Sequence, residues 1–143
     1  MDTMTFKELV GIASPPKTIA VYGASSDSEK AGSYVPSFLR DHGFEIIPIN
    51  PMIQSFLGMK VYESIGQVPK EKDIDIVEIF RRPEYVLQIV EDIIASGRKP
   101  IIWMQEGIAS EEAKALAEKH GMTVVMNKCM KKVYLAGHRD NAD

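Results

Sequence analysis

The sequence predicts one α/β domain over residues 1–143, a doubly wound parallel sheet covered by helices on both faces. Three observations carry that expectation. Five short runs rich in Ile, Val and Met alternate with amphipathic segments, the pattern of strands and helices wound around a parallel sheet. Each run stops abruptly at Gly, Asn-Pro, Arg-Pro or a similar breaker. A length of 143 residues suits a single core. Right-handed crossovers then favour about five strands in the order 3-2-1-4-5.

The elements follow in turn. Residues 5–12 read as a short helix with Phe6, Leu9 and Val10 on one face, broken by Ser14-Pro15-Pro16. Residues 18–22 form the first strand, which ends at Gly23. A small polar loop covers residues 24–33, where Ser33 is placed to cap a helix through Arg40. Pro36 then falls in the first turn, where a missing N–H costs little, and Gly43 closes the helix. Residues 45–49 make the second strand, stopped by Asn50-Pro51. Residues 52–72 are irregular, with turn signals at Gly58, Gly66 and Pro69. The third strand spans residues 74–80, and Pro83 suits the first position of a helix that runs to about Ser96. Val86, Ile89, Val90 and Ile93 share a face of it, and Gly97 stops it. The fourth strand covers residues 100–104. Ser110 caps a helix through Lys119, Gly121 stops that helix, and residues 123–126 are the fifth strand. Residues 138–143 are polar and expected to fray.

Composition narrows the function. Apolar residues make up 45% and charged residues 26%, which argues for a packed globule. A formal net charge of -3 excludes the basic footprint of a non-specific nucleic-acid binder. The single cysteine, Cys129, forms no intrachain disulfide and suits a reducing compartment. Residues 1–10 carry charges and lack the apolar core of a signal peptide. No run approaches the ~20 apolar residues that cross a bilayer. The expectation is a cytoplasmic protein with neither a nucleic-acid nor a membrane partner; the sequence names no protein partner.

In open sheets of this kind, ligands bind at the carboxyl ends of the strands. Five unusual segments fall there: Gly23-Ala24-Ser25, Asn50-Pro51, Phe80-Arg81-Arg82-Pro83, Gln105-Glu106-Gly107 and Asn127-Lys128-Cys129. The first leads into a helix N-terminus, whose free N–H groups favour phosphate. Gly23 lets the backbone approach, Ser25 and Ser26 offer hydroxyls, and Lys30 brings a charge. The loop is not a dinucleotide fingerprint, since Ser25 and Ser28 stand where G-x-G-x-x-G has its later glycines. NAD sites also want an acid at the end of the second strand, and this strand ends on Asn50. An NAD(P)-binding, oxidoreductase-like domain is therefore the weaker alternative. Asp27 and Glu29 fit a phosphate loop only if they face solvent.

Arg81 and Arg82 beside Phe80 read either as phosphate forks next to an aromatic wall or as surface arginines, with Arg81 paired to Glu84. Cys129, flanked by Lys128, Lys131 and Lys132, reads either as a reactive thiolate or as an inert packing residue. His42, His120 and His138 lie far apart, two of them at helix ends next to glycine, where histidines satisfy carbonyls, and no metal is assigned. Trp103 reads as core.

The ordered set Val21-Tyr22-Gly23-Ala24-Ser25, Ile47-Pro48-Ile49-Asn50-Pro51, Gly58 with Tyr62, and Phe80-Arg81-Arg82-Pro83-Glu84 resembles the CoA-binding-domain proteins. Trp103-Met104-Gln105-Glu106-Gly107 and residues 125–131 continue the likeness, which spans residues 18–132. These proteins are stand-alone relatives of the N-terminal half of the succinyl-CoA synthetase α subunit. The resemblance implies a Rossmann-like fold that binds coenzyme A or an acyl-CoA. It implies phosphates at Gly23, Ala24, Ser25, Ser26 and Lys30. Asn50, Pro51, Phe80, Arg81 and Arg82 would line the adenosine and pantetheine path, with Gln105, Glu106 and Gly107 on the far wall. Apart from the resemblance, the expected strand order puts Cys129 at the ligand edge, where a long pantetheine arm could bring the CoA thiol within reach of a mixed disulfide. The sequence departs from the family after the fifth strand, where Lys131-Lys132-Val133-Tyr134 stands in place of the acid followed by His or Tyr that many members carry. The synthetase's active-site histidine lies in a second domain absent from this sequence, so the expectation is non-catalytic binding.

Overall fold

A computed structural model of the chain describes residues 4–138. The expected fraying at the C-terminus therefore lies almost wholly outside the described residues. Helix α1 (Phe6–Ile12) starts in a reciprocal cap: the Thr5 hydroxyl accepts the Glu8 N–H at 3.1 Å, and the Glu8 carboxylate accepts the Thr5 N–H at 2.9 Å. Then come β1 (Thr18–Tyr22), α2 (Ala31–Asp41) and β2 (Glu45–Ile49). A small hairpin, β3 (Ser55–Phe56) with β4 (Met59–Lys60), and a 3-10 turn at Ile65–Gln67 fill the irregular stretch. The chain continues through β5 (Ile76–Ile79), α3 (Pro83–Ala95), β6 (Ile101–Met104), α4 (Glu111–Lys119), β7 (Val124–Val125) and α5 (Met130–Gly137).

The main sheet is five-stranded and parallel, with helices on both faces, as the periodicity predicts. Its order corrects one expectation. The strands run β2-β1-β5-β6-β7, which is 2-1-3-4-5 among the sheet strands and not 3-2-1-4-5. The reason lies on the outer edge of β2. Ile49 and Glu45 spend their backbone groups on β1, so Pro48 points outward, where it has no N–H to donate. The Pro48 carbonyl accepts the Tyr62 N–H at 3.0 Å, and Asn50 N–H donates to the Tyr62 carbonyl at 2.8 Å. That edge is already closed by the segment after β4, so β5 pairs with the other side of β1.

The strand residues alternate between two cores. Ala20, Tyr22, Val77, Ile79, Ile102 and Met104 face α3 and α4. Ile19, Val21, Ile76, Trp103 and Val125 face α1, α2 and α5. Moving left from β1 and right from β5, right-handed crossovers place the connecting helices on opposite faces. Trp103 is fully buried, and its indole N–H donates to the Lys128 carbonyl at 2.8 Å.

Two local expectations change. Helix α2 begins at Ala31 with Lys30 as its cap residue, so Ser33 is not the cap and Pro36 lies beyond the first turn. Helix α5 was not expected, although Met130, Val133 and Tyr134 carry the spacing of a helical face. All three histidines lie at helix ends, one more than expected because His138 follows α5, and each has Nδ1 within 2.7–3.1 Å of the carbonyl four residues back.

Candidate functional site

The loop after β1 is built by two glycines and its own short side chains. Gly23 has φ +86°, and a Cβ there would stand 3.1 Å from the Arg81 side chain and 3.2 Å from the Phe80 carbonyl carbon. A Cβ on Gly32 would lie 2.7 Å from the Gly23 carbonyl oxygen. The start of α2 thus rests directly on the end of β1. Ser25 N–H donates to the Gly32 carbonyl at 3.1 Å. The Ser25 hydroxyl accepts Asp27 N–H at 3.1 Å, and the Asp27 carboxylate accepts Glu29 N–H at 3.0 Å. These bonds turn Asp27 and Glu29 away from the cleft, and both are exposed. No side chain caps α2, so the first-turn N–H groups at Ala31 and Gly32 remain at the cleft wall.

The cleft has a volume of about 490 Å³ and opens at the carboxyl end of the sheet, over β1 and β5. It gathers Gly23, Ala24, Ser25, Ser26 and Lys30 on one side. Asn50 stands at the end of β2, where its Nδ2 donates to the Ala24 carbonyl at 2.8 Å and its Oδ1 accepts Met52 N–H at 2.8 Å. Its carboxamide ties the loop after β1 to the segment that carries Met52 and Ile53, which also line the cleft. Met52 is 82% exposed there, an apolar side chain left open at the rim. Phe80 and Arg81 form the floor, and Gln105, Glu106 and Ile108 the far wall.

Of the expected site residues, Pro51, Arg82, Gly107 and Cys129 do not line this cleft. Pro51 is exposed in the turn beyond Asn50. Arg82 points to Tyr85, with Nη2 donating to the phenol at 3.0 Å, and its Nε is 4.0 Å from the Glu84 carboxylate. Arg81 stacks over the same Tyr85 ring at 4.5 Å to its centre. It is therefore Arg82 and not Arg81 that meets Glu84. Gly107, at φ +87°, donates its N–H to Asn127 Oδ1 at 2.6 Å, while Asn127 N–H donates to the Ile108 carbonyl at 3.0 Å. Cys129 is 8% exposed and packs with the α1, α2 and α5 core. It borders a second depression lined by Phe6, Leu9, Lys132 and Val133. Glu106 borders both spaces and holds an ion pair with Lys132 at 2.9 Å.

Met52, Ile53, Tyr85 and Ile108 escaped the sequence reading. Only Tyr85 carries a local signal, since it lies four residues after Arg81 on the first turn of α3. The charged groups on the cleft are Lys30, Arg81 and the Glu106 carboxylate already paired with Lys132. Together with the open start of α2, this arrangement suits an anionic ligand with an extended body. Directly beneath, on the α2 and α5 side of β5, lies Glu78, fully buried with neither carboxylate oxygen hydrogen-bonded. Burial alone pushes its pKa up to about 8.

Comparison with known proteins shows the family and the fold. Residues 17–134 match the family model described as a CoA binding domain. The Bacillus subtilis protein YneT is 36% identical over 131 residues, covering 92% of this chain and 95% of that one. The α subunit of the ADP-forming acetate–CoA ligase II of Pyrococcus furiosus is 29% identical over 125 residues. That match covers 80% of this chain, and the chain spans only 27% of the subunit. A solved protein from Pyrococcus horikoshii superposes with a TM-score of 0.85 at 30% identity, covering 98% of this chain and 94% of that one. The chain belongs to the CoA binding domain family, with its Rossmann-like fold.

Proposed function

We propose that the cleft binds coenzyme A or an acyl-CoA without catalysing its chemistry. One observation supports this most: the uncapped start of α2, Lys30 and Arg81 converge on a single cleft at the strand-order switch between β1 and β5. In this reading the phosphates lie on residues 23–26, the N–H groups of Ala31 and Gly32, and the two cations. The adenosine lies toward Asn50, Met52 and Ile53, and the pantetheine arm runs past Phe80 toward Gln105, Glu106 and Ile108. Asn50 disfavours NAD, because its carboxamide is engaged by Ala24 and Met52 and offers no carboxylate to a ribose diol. The reading takes the binding function of the ligase relatives and leaves their reaction aside, since the alignment reaches 27% of that subunit. A reducing, cytoplasmic setting belongs to the same proposal.

Cys129 enters as a second step. The depression beside it and the main cleft share Glu106, so a pantetheine arm that crosses this residue would end near the thiol. Attack of a Cys129 thiolate on oxidised CoA, a disulfide, would form the protein–CoA disulfide and release one equivalent of CoA thiolate.

Titration calorimetry tests the first step. CoA should bind more tightly than NAD or ATP, and Arg81→Ala should weaken CoA by about 1.5–3 kcal/mol as the loss of a charge-assisted bond. Arg82→Ala should cost less, since Arg82 is held by Tyr85 and Glu84. Equal or better affinity for NAD sinks the reading. Native mass spectrometry under non-reducing conditions, with Cys129→Ser as control, reads the disulfide. An adduct that survives the substitution removes Cys129 from the scheme.

A further inference from the structure

Pro36 is buried in the second turn of α2, where a proline is out of place for helix stability. An interior proline supplies no N–H to the carbonyl four residues back, and its ring pushes that carbonyl off the helix axis. Here the carbonyl belongs to Gly32. It is not left idle: it accepts the Ser25 N–H from the loop after β1 at 3.1 Å. Helix and loop also touch at Gly32 itself, where a Cβ would lie 2.7 Å from the Gly23 oxygen.

We infer that Pro36 is a positioning residue for the cleft. By withholding an N–H it leaves the Gly32 carbonyl to Ser25, and through Ser25 it holds the loop that carries Ser26 and Lys30. Ser25 is then pinned at two points, since its hydroxyl also accepts the Asp27 N–H at 3.1 Å. The helix loses one internal bond and the binding loop gains one. A proline present only to fill space would leave Ser25 indifferent to its replacement. The affinity part of this inference rests on the CoA reading above; the backbone part does not.

The experiment uses the full chain with Pro36→Ala and Pro36→Val, both of which restore the N–H, the second at nearly unchanged bulk. Three quantities are measured: amide exchange at Ser25 in the ligand-free protein, CoA affinity by calorimetry, and the thermal midpoint. Ser25 should exchange about tenfold faster, as a lost protecting bond allows. CoA affinity should fall about fivefold, the scale of one hydrogen bond lost at the site. The midpoint should hold or rise, because the helix gains a bond and loses its breaker. Unchanged Ser25 exchange overturns the inference. So does faster exchange with unchanged CoA affinity, or a large fall in midpoint in both variants, which would make Pro36 a packing residue. If the unaltered chain takes up no CoA, the proposed function fails while Ser25 exchange still decides the role of Pro36.

Discussion

The loops after β1 and β6 each leave the sheet through a glycine of nearly the same conformation, Gly23 at φ +86° and Gly107 at φ +87°. A Cβ on Gly23 would crowd Arg81 and the Phe80 backbone at 3.1–3.3 Å, whereas nothing lies within 4 Å of a Cβ on Gly107. The helices that follow differ in the same sense. Ser110 seals the start of α4 by accepting the Ala113 N–H at 3.2 Å, but Lys30 puts no cap on α2. Asn127 takes up the Gly107 N–H as well. One loop therefore ends in free donors beside two cations, and the other in a closed clasp. A glycine after a strand allows a close approach, and the cap of the next helix decides whether anything is left for a ligand.

The largest expected effect separates the two helices through the strand between them. Glu78 lies on the face covered by α2 and α5, while α4 packs on the opposite face. Its pKa is raised in the folded protein to about 8, so the folded state holds a proton that the unfolded state releases at ordinary carboxylate pH. The resulting stability is full below that ordinary value, falls by about 1.4 kcal/mol per pH unit as pH rises, and is gone above about 8. Urea unfolding from pH 5 to 9 should show this slope, and Glu78→Gln should flatten it. Amide exchange at high pH should rise in α2 and α5 before α4. Parallel pH curves for the two proteins would mean that Glu78 finds a partner.

A paired substitution probes the glycines. Gly32→Ala forces a Cβ against the Gly23 carbonyl and should cost about 2–3 kcal/mol of stability, with CoA binding lost. Gly107→Ala meets no neighbour and should cost only about 1 kcal/mol from its positive φ, leaving CoA affinity nearly intact. Equal losses of affinity from both would erase the distinction between the loops. The smallest effect comes from giving α2 the cap that α4 has. Lys30→Ser should raise stability by about 0.5–1 kcal/mol. It should weaken CoA binding by about 1 kcal/mol, through loss of the charge and of an open donor. Calorimetry and thermal melts read the two together, and a gain in both would show that the open start of α2 has no part in binding.

Short-range chemistry determined most of the elements and part of the site. Periodic apolar runs, Ser110, Pro83 and the stop glycines located helices and strands, because caps and breakers act on their own neighbours. The carboxyl-edge segments Gly23–Ser26, Lys30, Asn50, Phe80-Arg81 and Gln105 were legible as one group, since a parallel sheet brings strand ends together. Only the tertiary structure decided the order of the strands and left β2 at the edge. It alone buried Cys129 in the α1, α2 and α5 core and brought Met52, Ile53 and Ile108 to the cleft. Each of these depends on which backbone edge is free and which helix lies opposite. Those facts are set by residues distant in the sequence, so no local pattern records them.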